Sequence, residues 1–191
     1  QLGSFCGNGG RCVVAFAKHL GIIDKQTNFA AFDGLHDATI SGNIVSLSMR
    51  DVDHVQTHPT HTFLDTGSPH HIEFVKDTKN LDVLTQGTLI AHNDTYGVEG
   101  TNVNFVEVGE AREIQVRTFE RGVENETLSC GTGVTAAALA AFSTGKVTNN
   151  NIEVHTLGGD LTVSFTPSGK GFSDIVLTGP TELVFSGTLE L

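Results

Sequence analysis

Residues 6–9 of this sequence read Cys-Gly-Asn-Gly, and residues 130–133 read Cys-Gly-Thr-Gly, 124 positions further along the chain. A run of small and apolar residues follows each stretch. Each run stops at a glycine, Gly21 or Gly145, that lies 15 positions after its cysteine. Such a glycine suits the left-handed residue that closes a helix. The sequence therefore predicts the same helical unit twice, which favours two related structural units in one chain.

Each predicted helix begins beside its cysteine. Asn8 and Thr132 are favourable N-caps, so we expect the helices to start at these residues. A cysteine at a helix N-terminus lies at the positive end of the helix dipole, beside unpaired backbone N–H groups. Both features favour a thiolate, and the same N–H groups bind carboxylates. The placement thus predicts that Cys6 and Cys130 are low-pKa, functional thiols.

Buried structural thiols are the competing interpretation, since free cysteine is among the most buried residue types. For a single cysteine that interpretation would be preferred, but chance does not readily produce two helix starts that match in the cysteine, both glycines and the cap residue. Cys12 differs, because it lies inside the first helical run next to Val13 and Val14, and we expect it in the core. The duplicated unit also predicts that Cys6 and Cys130 face each other across one cleft, where oxidation could join them.

The composition limits the class of protein. The chain has 191 residues, a formal net charge of −11 and three cysteines. The acidic balance argues against nucleic acid and anionic membranes as partners. No apolar run is long enough to span a bilayer. An odd number of irregularly spaced cysteines is not typical of a disulfide framework, which favours a reducing, cytoplasmic location.

Between the two units the sequence predicts mostly strands. The alternation of apolar and polar residues, and turn signals such as Gly158-Gly159, predict hairpins rather than a regular alternation of strands and helices. One further helix is expected over residues 81–92. We predict an α+β fold in which sheets wrap on helices. The predicted strands cover residues 28–32, 38–40, 43–49, 61–65, 71–75, 101–108, 112–119, 152–157, 160–166, 173–177, 182–185 and 188–191.

The sequence also contains residues that other kinds of site use. His54, His58 and His61 lie near two aspartates, but their spacing differs from that of zinc motifs, so we interpret this segment as a polar linker. The glycines after Cys6 form no phosphate-binding loop. Glu120-Arg121 is either a surface ion pair or a pair that binds an ammonium and a carboxylate. Asn102 is either a turn former or a ligand.

Several motifs, taken together and in order, resemble the diaminopimelate epimerase family. Residues 5–12 resemble its first cysteine signature, and residues 120–122 with 129–133 resemble the second. Residues 67–70, Gly-Ser-Pro-His, resemble its Pro-His turn, although Ser68 stands where many members carry asparagine. Family members begin several dozen residues earlier, whereas this chain starts at Gln1, so we expect it to be N-terminally incomplete.

The resemblance implies a fold of two pseudosymmetric domains, each a mixed or antiparallel sheet wrapped around a central helix. Residues 1–50 would be the remainder of the first domain, residues 51–180 the second, and residues 181–191 a return to the first. The implied reaction interconverts LL- and meso-diaminopimelate, for lysine and peptidoglycan synthesis. It needs neither pyridoxal phosphate nor a metal. The resemblance leaves open whether the protein forms a homodimer.

The resemblance also implies roles for individual residues. Cys6 and Cys130 would be the catalytic acid and base. Glu120 would hold the reacting ammonium with help from His70, and Arg121 and Asn102 would bind the far end of the substrate. The full set of predicted substrate-binding residues is Gly7, Asn8, His70, Asn102, Glu120, Arg121, Gly131 and Thr132.

Rival functions remain at this point. Proline racemases and phenazine-type isomerases have a fold similar to that of diaminopimelate epimerases. The racemases usually carry histidine where Asn8 stands, and the phenazine-type isomerases lack the paired cysteines. A non-catalytic binding protein for an amino acid, or a thiol redox sensor that uses Cys6 and Cys130, belongs to another class. An alkylation assay distinguishes these functions: for an epimerase of this family, diaminopimelate should protect the cysteines from the alkylating reagent, and proline should not.

Overall fold

The computed structural model describes residues 5–188, which form three α-helices and twelve β-strands. The helices are α1 (Gly7–His19), α2 (Val83–Ala91) and α3 (Gly131–Ser143). The strands are β1 (Gln26–Ala31), β2 (Gly34–Ser41), β3 (Ile44–Ser48), β4 (Gln56–Thr57), β5 (Thr62–Asp65), β6 (Pro69–Phe74), β7 (Asn102–Val108), β8 (Glu113–Glu120), β9 (Asn125–Thr127), β10 (Asn151–Thr156), β11 (Gly159–Ser168) and β12 (Gly171–Pro180).

The strands join into one continuous sheet with the order β1-β2-β3-β12-β11-β10-β8-β7-β6-β5-β4. The short strand β9 pairs with the C-terminal end of β8. Most neighbours are antiparallel, but β6 pairs with β7 and β8 with β10 in parallel. Parallel neighbours need a crossover connection. Helix α2 lies in the crossover between β6 and β7, and α3 in that between β8 and β10. The prediction of an α+β fold is confirmed.

Helix α3 lies at the centre of the core. Every residue from Gly131 to Ala141 is buried, and the helix contacts strands β5 to β8 and β10 to β12. A helix buried on all sides needs small side chains wherever strands approach closely, and this one carries five alanines. Its position is thus dictated by its composition, since no polar face is available for solvent.

Helix α1 is buried on one face only, through Gly7, Gly10, Arg11 and Val14, and packs against β2 and β3. Cys12 lies on the opposite, exposed face. The prediction that Cys12 belongs to the core is therefore wrong. The small and apolar run suggested burial all round, whereas the sheet covers only one side of this helix.

Both helices begin two residues earlier than predicted. Cys6 and Cys130 are themselves the N-caps, in extended conformation (φ −109° and −116°), so Asn8 and Thr132 lie in the first turn. The closing glycines are confirmed: Gly21 and Gly145 have φ of +70° and +68°. At each end the residue after the glycine donates back to the helix, Ile22 to Ala17 O and Lys146 to Ala141 O, both at 3.0 Å.

The core strands and the hairpins were predicted at the right places. Two short strands, β4 and β9, were not predicted, because two or three residues show no readable period. The strand predicted over residues 182–185 is wrong, since these residues form no strand. The strand predicted over residues 188–191 lies almost wholly outside the described residues.

The sheet joins the beginning and the end of the described chain. Strand β12 pairs with β3 on one side and with β11 on the other. Beyond it, Thr181 N donates to Asn43 O at 2.8 Å, so the chain continues along the first part of the sheet. The domain bounds at residues 50 and 180 stay a prediction. Within residues 5–188, no helix is both long and apolar enough to cross a membrane.

Candidate active site

The N-termini of α1 and α3 meet in close contact. A Cβ atom added to Gly131 would lie only 2.9 Å from Gly7 Cα and 3.3 Å from Asn8 N. Real Cβ atoms do not approach backbone so closely, so both positions need glycine. The first turns of the two helices thus present their free N–H groups to one place, the arrangement that binds anions at helix N-termini.

A small cavity of about 140 Å³ opens at this junction. It draws on both helix starts, on the turn before β6, and on the strand ends that precede α3. Its lining consists of Phe5, Cys6, Gly7, Asn8, Ser68, Asn102, Glu120, Arg121, Ser129, Cys130, Gly131 and Thr132. The structure therefore brings together both predicted cysteines and seven of the eight predicted substrate-binding residues, and leaves only His70 out of the lining.

The two cysteines differ in their surroundings. Cys6 is exposed, and the Gly9 N–H donates to its Sγ at 3.3 Å. Cys130 is 8% exposed, and its Sγ lies 3.4 Å from Thr132 Oγ1. Cys6 is thus open to solvent, whereas Cys130 is enclosed by protein.

Burial raises the pKa of the Cys130 thiol to about 11, and the negative charges of Glu120 and Cys6 act in the same direction. Hydrogen bonds from Thr132 and Gly133 oppose the rise but do not cancel it. The prediction that Cys130 is thiolate-prone is therefore wrong for the free protein. The helix N-terminus does favour the anion, but removal of water from the sulfur has the larger effect.

Asn8 connects the two halves of the cavity. Its Nδ2 donates to Ser129 O at 2.9 Å, across 121 positions of sequence, and its Oδ1 accepts a bond from Arg11 Nη2, also at 2.9 Å. Ser129 directly precedes Cys130. The contact thus ties the first turn of α1 to the segment that carries the second cysteine.

Asn102 is held in the protein framework. Its Nδ2 donates to Ser68 Oγ at 2.7 Å and to Pro69 O at 3.0 Å, and its Oδ1 accepts from the Arg121 backbone N–H at 3.1 Å. The side chain lines the cavity, but its polar atoms are already paired. Ser68, at the position where the motif differs from its family pattern, is one of these partners.

Glu120 and Arg121 lie at the end of β8. Thr127 Oγ1 donates to Glu120 Oε1 at 2.5 Å, and Arg121 Nη1 donates to Glu99 O at 3.0 Å. Both side chains are held by neighbours yet remain part of the cavity wall. A carboxylate and a guanidinium side by side suit a substrate that carries both an ammonium and a carboxylate.

His70 is fully buried beside the first turn of α3 instead of lining the cavity. Asn104 Nδ2 donates to its Nδ1 at 3.0 Å, and Thr118 Oγ1 donates to Asn104 Oδ1 at 3.0 Å. Burial, assisted by the charge of Arg121, lowers the pKa of His70 to about 3. The imidazole is therefore neutral, and it adjoins Gly133, where an added Cβ would lie 3.3 Å from its Cε1.

Besides Ser68, two lining residues, Phe5 and Ser129, were not among the predicted site residues. The available signal was their position, since each directly precedes one of the two cysteines. A larger, open depression of about 730 Å³ lies on β1, β2, β3 and β12. Its lining has neither cysteine nor histidine, so the paired thiols favour the smaller cavity.

Comparison with known proteins identifies the family. The family model for diaminopimelate epimerase matches residues 62–184. The diaminopimelate epimerase of Flavobacterium psychrophilum is 51% identical over 187 residues, which cover 97% of this chain and 73% of that protein. The chain belongs to the diaminopimelate epimerase family. The enzyme of the same name from Chlorobaculum tepidum is 43% identical over 99% of this chain and 76% of its own length.

Membership of this family confirms the resemblance given by the two cysteine signatures, and at that level it confirms the prediction of an isomerase. Solved structures add information on the fold. A hydroxyproline epimerase from Agrobacterium vitis matches with a TM-score of 0.70 and 17% identity, over 93% of this chain and 65% of that one. A phenazine biosynthesis protein from Bacillus anthracis matches with a TM-score of 0.67 and 13% identity, over 93% and 73%. At these identities the likeness concerns the fold alone.

Proposed function

We propose that the protein interconverts LL- and meso-diaminopimelate by proton transfer between Cys6 and Cys130. The observation that carries this proposal is that two thiols, from two separate helix starts, line one small cavity. Inversion at a carbon needs a base on one face and an acid on the other. Two cysteines on facing elements can supply both without a cofactor.

In each turnover, the thiolate of one cysteine takes the α-proton of the substrate, and the electron pair of the C–H bond moves toward the α-carboxylate. The thiol of the other cysteine then gives its proton to the opposite face of the same carbon. The two sulfurs end with exchanged protonation states. The N–H groups of the first turns of α1 and α3 stabilise the charge that builds up on the carboxylate. The narrow cavity keeps water away from them.

The raised pKa of Cys130 indicates the resting arrangement. Near neutral pH this cysteine is a thiol, ready to donate a proton. In a turnover that starts from this arrangement, Cys6 is the base that takes the α-proton. The reverse reaction begins with the opposite protonation. We further propose that Glu120 pairs with the reacting ammonium and Arg121 with the distal carboxylate.

Asn102 and His70 act less directly in this proposal. Asn102 holds the Arg121 backbone and the Ser68 turn, and offers the substrate what bonding capacity its Oδ1 has left. His70 lies beside the first turn of α3 and outside the cavity lining, so it acts on the ammonium site at Glu120 only indirectly. The product would serve lysine and peptidoglycan synthesis in the cytoplasm.

The test is replacement of each cysteine, followed by measurement of α-proton exchange in D₂O from LL- and meso-diaminopimelate separately. We expect Cys6→Ala and Cys130→Ala each to abolish epimerisation, because inversion needs both faces. Cys→Ser variants should keep slow exchange from one isomer only, and the surviving isomer should swap between the two variants. Undiminished racemisation in either alanine variant would rule out a two-base reaction. Proline and trans-4-hydroxy-L-proline serve as control substrates, and we expect no turnover of either.

A further inference from the structure

Arg11 is a buried cation next to the cavity. It belongs to the second turn of α1 and is 6% exposed. Its guanidinium turns back toward the helix N-terminus, where Nη2 donates to Asn8 Oδ1 at 2.9 Å and Nη1 to Gly7 O at 3.4 Å. The Nε atom is buried and has no hydrogen-bond partner among residues 5–188.

This placement is unfavourable for stability alone. Within the part of the chain that the structure describes, no carboxylate lies within 4.0 Å of Arg11. Burial lowers the pKa of its guanidinium, although the negative charges of Cys12 and Cys6 act in the other direction. A cation near the N-terminus of a helix also opposes the helix dipole. A buried charge with these costs is weak support for the fold, which points to a role at the adjoining site.

The bond to Asn8 determines how the Asn8 amide is oriented. Arginine only donates hydrogen bonds, so the atom that faces Arg11 must be the carbonyl oxygen. The NH₂ group is then directed at Ser129 O, where it donates at 2.9 Å. If the amide turned over, its oxygen would face the Ser129 carbonyl and its NH₂ would face the guanidinium, so both contacts would become repulsive.

We propose that Arg11 is a positioning residue, which orients Asn8 so that this side chain fixes the start of α1 against the segment carrying Cys130. The chain Arg11–Asn8–Ser129 then sets how the two thiols face each other. Its value for catalysis rests on the proposed epimerase function. The hydrogen-bonded link itself does not rest on that function, and neither does the enclosure of Cys130 that depends on the link.

The test is a double-mutant cycle with Arg11→Met, Asn8→Ala and the combined variant. Methionine fills a similar volume but donates no hydrogen bond. We expect Arg11→Met to lower kcat/KM for diaminopimelate by roughly 10- to 100-fold, the range that small misplacements of catalytic groups produce. If Arg11 acts through Asn8, the double variant should be within about 3-fold of the more impaired single variant, because coupled residues are not additive. Losses that multiply across the cycle would overturn the proposal.

Rescue by lysine separates positioning from simple packing. Lysine can donate one bond to Asn8 Oδ1, so Arg11→Lys should be at least about 5-fold more active than Arg11→Met, and Asn8→Ala should remove this advantage. Equal activity of the two variants would show that only the volume matters. If Arg11→Met is unfolded at the assay temperature, the cycle is repeated with Arg11→Lys and the same criterion applies. Arg50→Met, at an exposed arginine, is the matched control and should resemble the wild type.

A second measurement does not depend on turnover. The rate of Cys130 alkylation by iodoacetamide, read by mass spectrometry, should rise by a similar factor in Arg11→Met, Asn8→Ala and the double variant. If the wild type fails to epimerise diaminopimelate, the proposed function is wrong, and this alkylation cycle still decides on Arg11. Unchanged Cys130 alkylation in all three variants would overturn the positioning role even in an active enzyme.

Discussion

The thiol of Cys130 lies in surroundings that oppose its ionisation. Its alkylation in the free protein should therefore be slow near neutral pH and rise about 10-fold per pH unit from pH 7 to 9.5, because only the thiolate reacts and its pKa is about 11. Mass spectrometry after timed exposure to iodoacetamide gives the rate at this cysteine. Glu120→Gln should increase the rate at a given pH, since it removes a charge that raises this pKa. A rate that levels off by pH 8 would contradict the assignment.

At this scale the sequence predicted which residues meet, but not all of their chemistry. The repeated Cys-Gly-x-Gly pattern was enough to place both thiols in one cavity, because the pattern dictates two helix starts. The enclosure of Cys130 was not predictable, since it arises only when the fold brings other segments, among them those that carry Cys6 and Glu120, to the same cavity. The same holds for Asn102, whose partners Ser68 and Pro69 come from the turn before β6 and the first residue of that strand. The hydrogen bonds Asn8–Ser129 and Arg11–Asn8 also form only where the N-termini of α1 and α3 meet in the folded protein.

The contact between α1 and α3 is made possible by two glycines. Gly131→Ala should lower the free energy of unfolding by about 1–3 kcal/mol, the usual cost of overpacking, because the new Cβ would lie 2.9 Å from Gly7 Cα. Epimerisation should fall as well, since the two thiols would be pushed apart. Denaturant unfolding gives the stability, and Gly187→Ala is the control, because an added Cβ there meets nothing within 4 Å. Equal stability of the two variants would mean that the helix starts tolerate separation.

At the scale of elements, long periodic segments were predictable and short ones were not. Helix ends at Gly21 and Gly145 follow from a local conformational requirement, so sequence alone gives them. Helix starts were displaced by two residues, because Asn8 and Thr132 are good caps in isolation, whereas the packed junction of Gly7 and Gly131 extends both helices to the cysteines. Strands β4 and β9 exist only because a neighbouring strand is available to pair with them.

At the scale of the whole molecule, buried histidines make stability depend on pH. His71 is 5% exposed, stacks on His61 with ring centroids 4.3 Å apart, and makes a 2.6 Å contact between its Nδ1 and the Tyr96 hydroxyl. His61 in turn stacks on His58, and Glu73 is the only carboxylate that approaches His71 Nε2 within 4.0 Å among residues 5–188, at 3.7 Å. Burial, with the charges of His61 and His58, lowers the pKa of His71 to about 4.

The sign of the pH effect follows from this lowered pKa. Above about pH 6.5, the ordinary pKa of histidine, His71 is neutral in both states and adds no pH dependence. As the pH falls toward 4, the unfolded state takes up the proton first, so the folded state loses about 1.4 kcal/mol per pH unit through this residue. We expect His71→Gln to remove this part of the slope in urea unfolding between pH 6.5 and 4.5. His54→Gln, at an exposed position, is the control, and an unchanged slope in His71→Gln would contradict the effect.

The position of β12 between β3 and β11 has a consequence for biosynthesis. Strands β1 to β3 leave the ribosome early, but β3 lacks its second neighbour until residues 171–180 have been made. Chains are synthesised at about 5–20 residues per second, so the edge of β3 stays open for roughly 6–25 seconds. Open strand edges pair readily with other chains. The nascent protein therefore passes through an interval in which a chaperone that covers this edge should raise the yield of folded molecules.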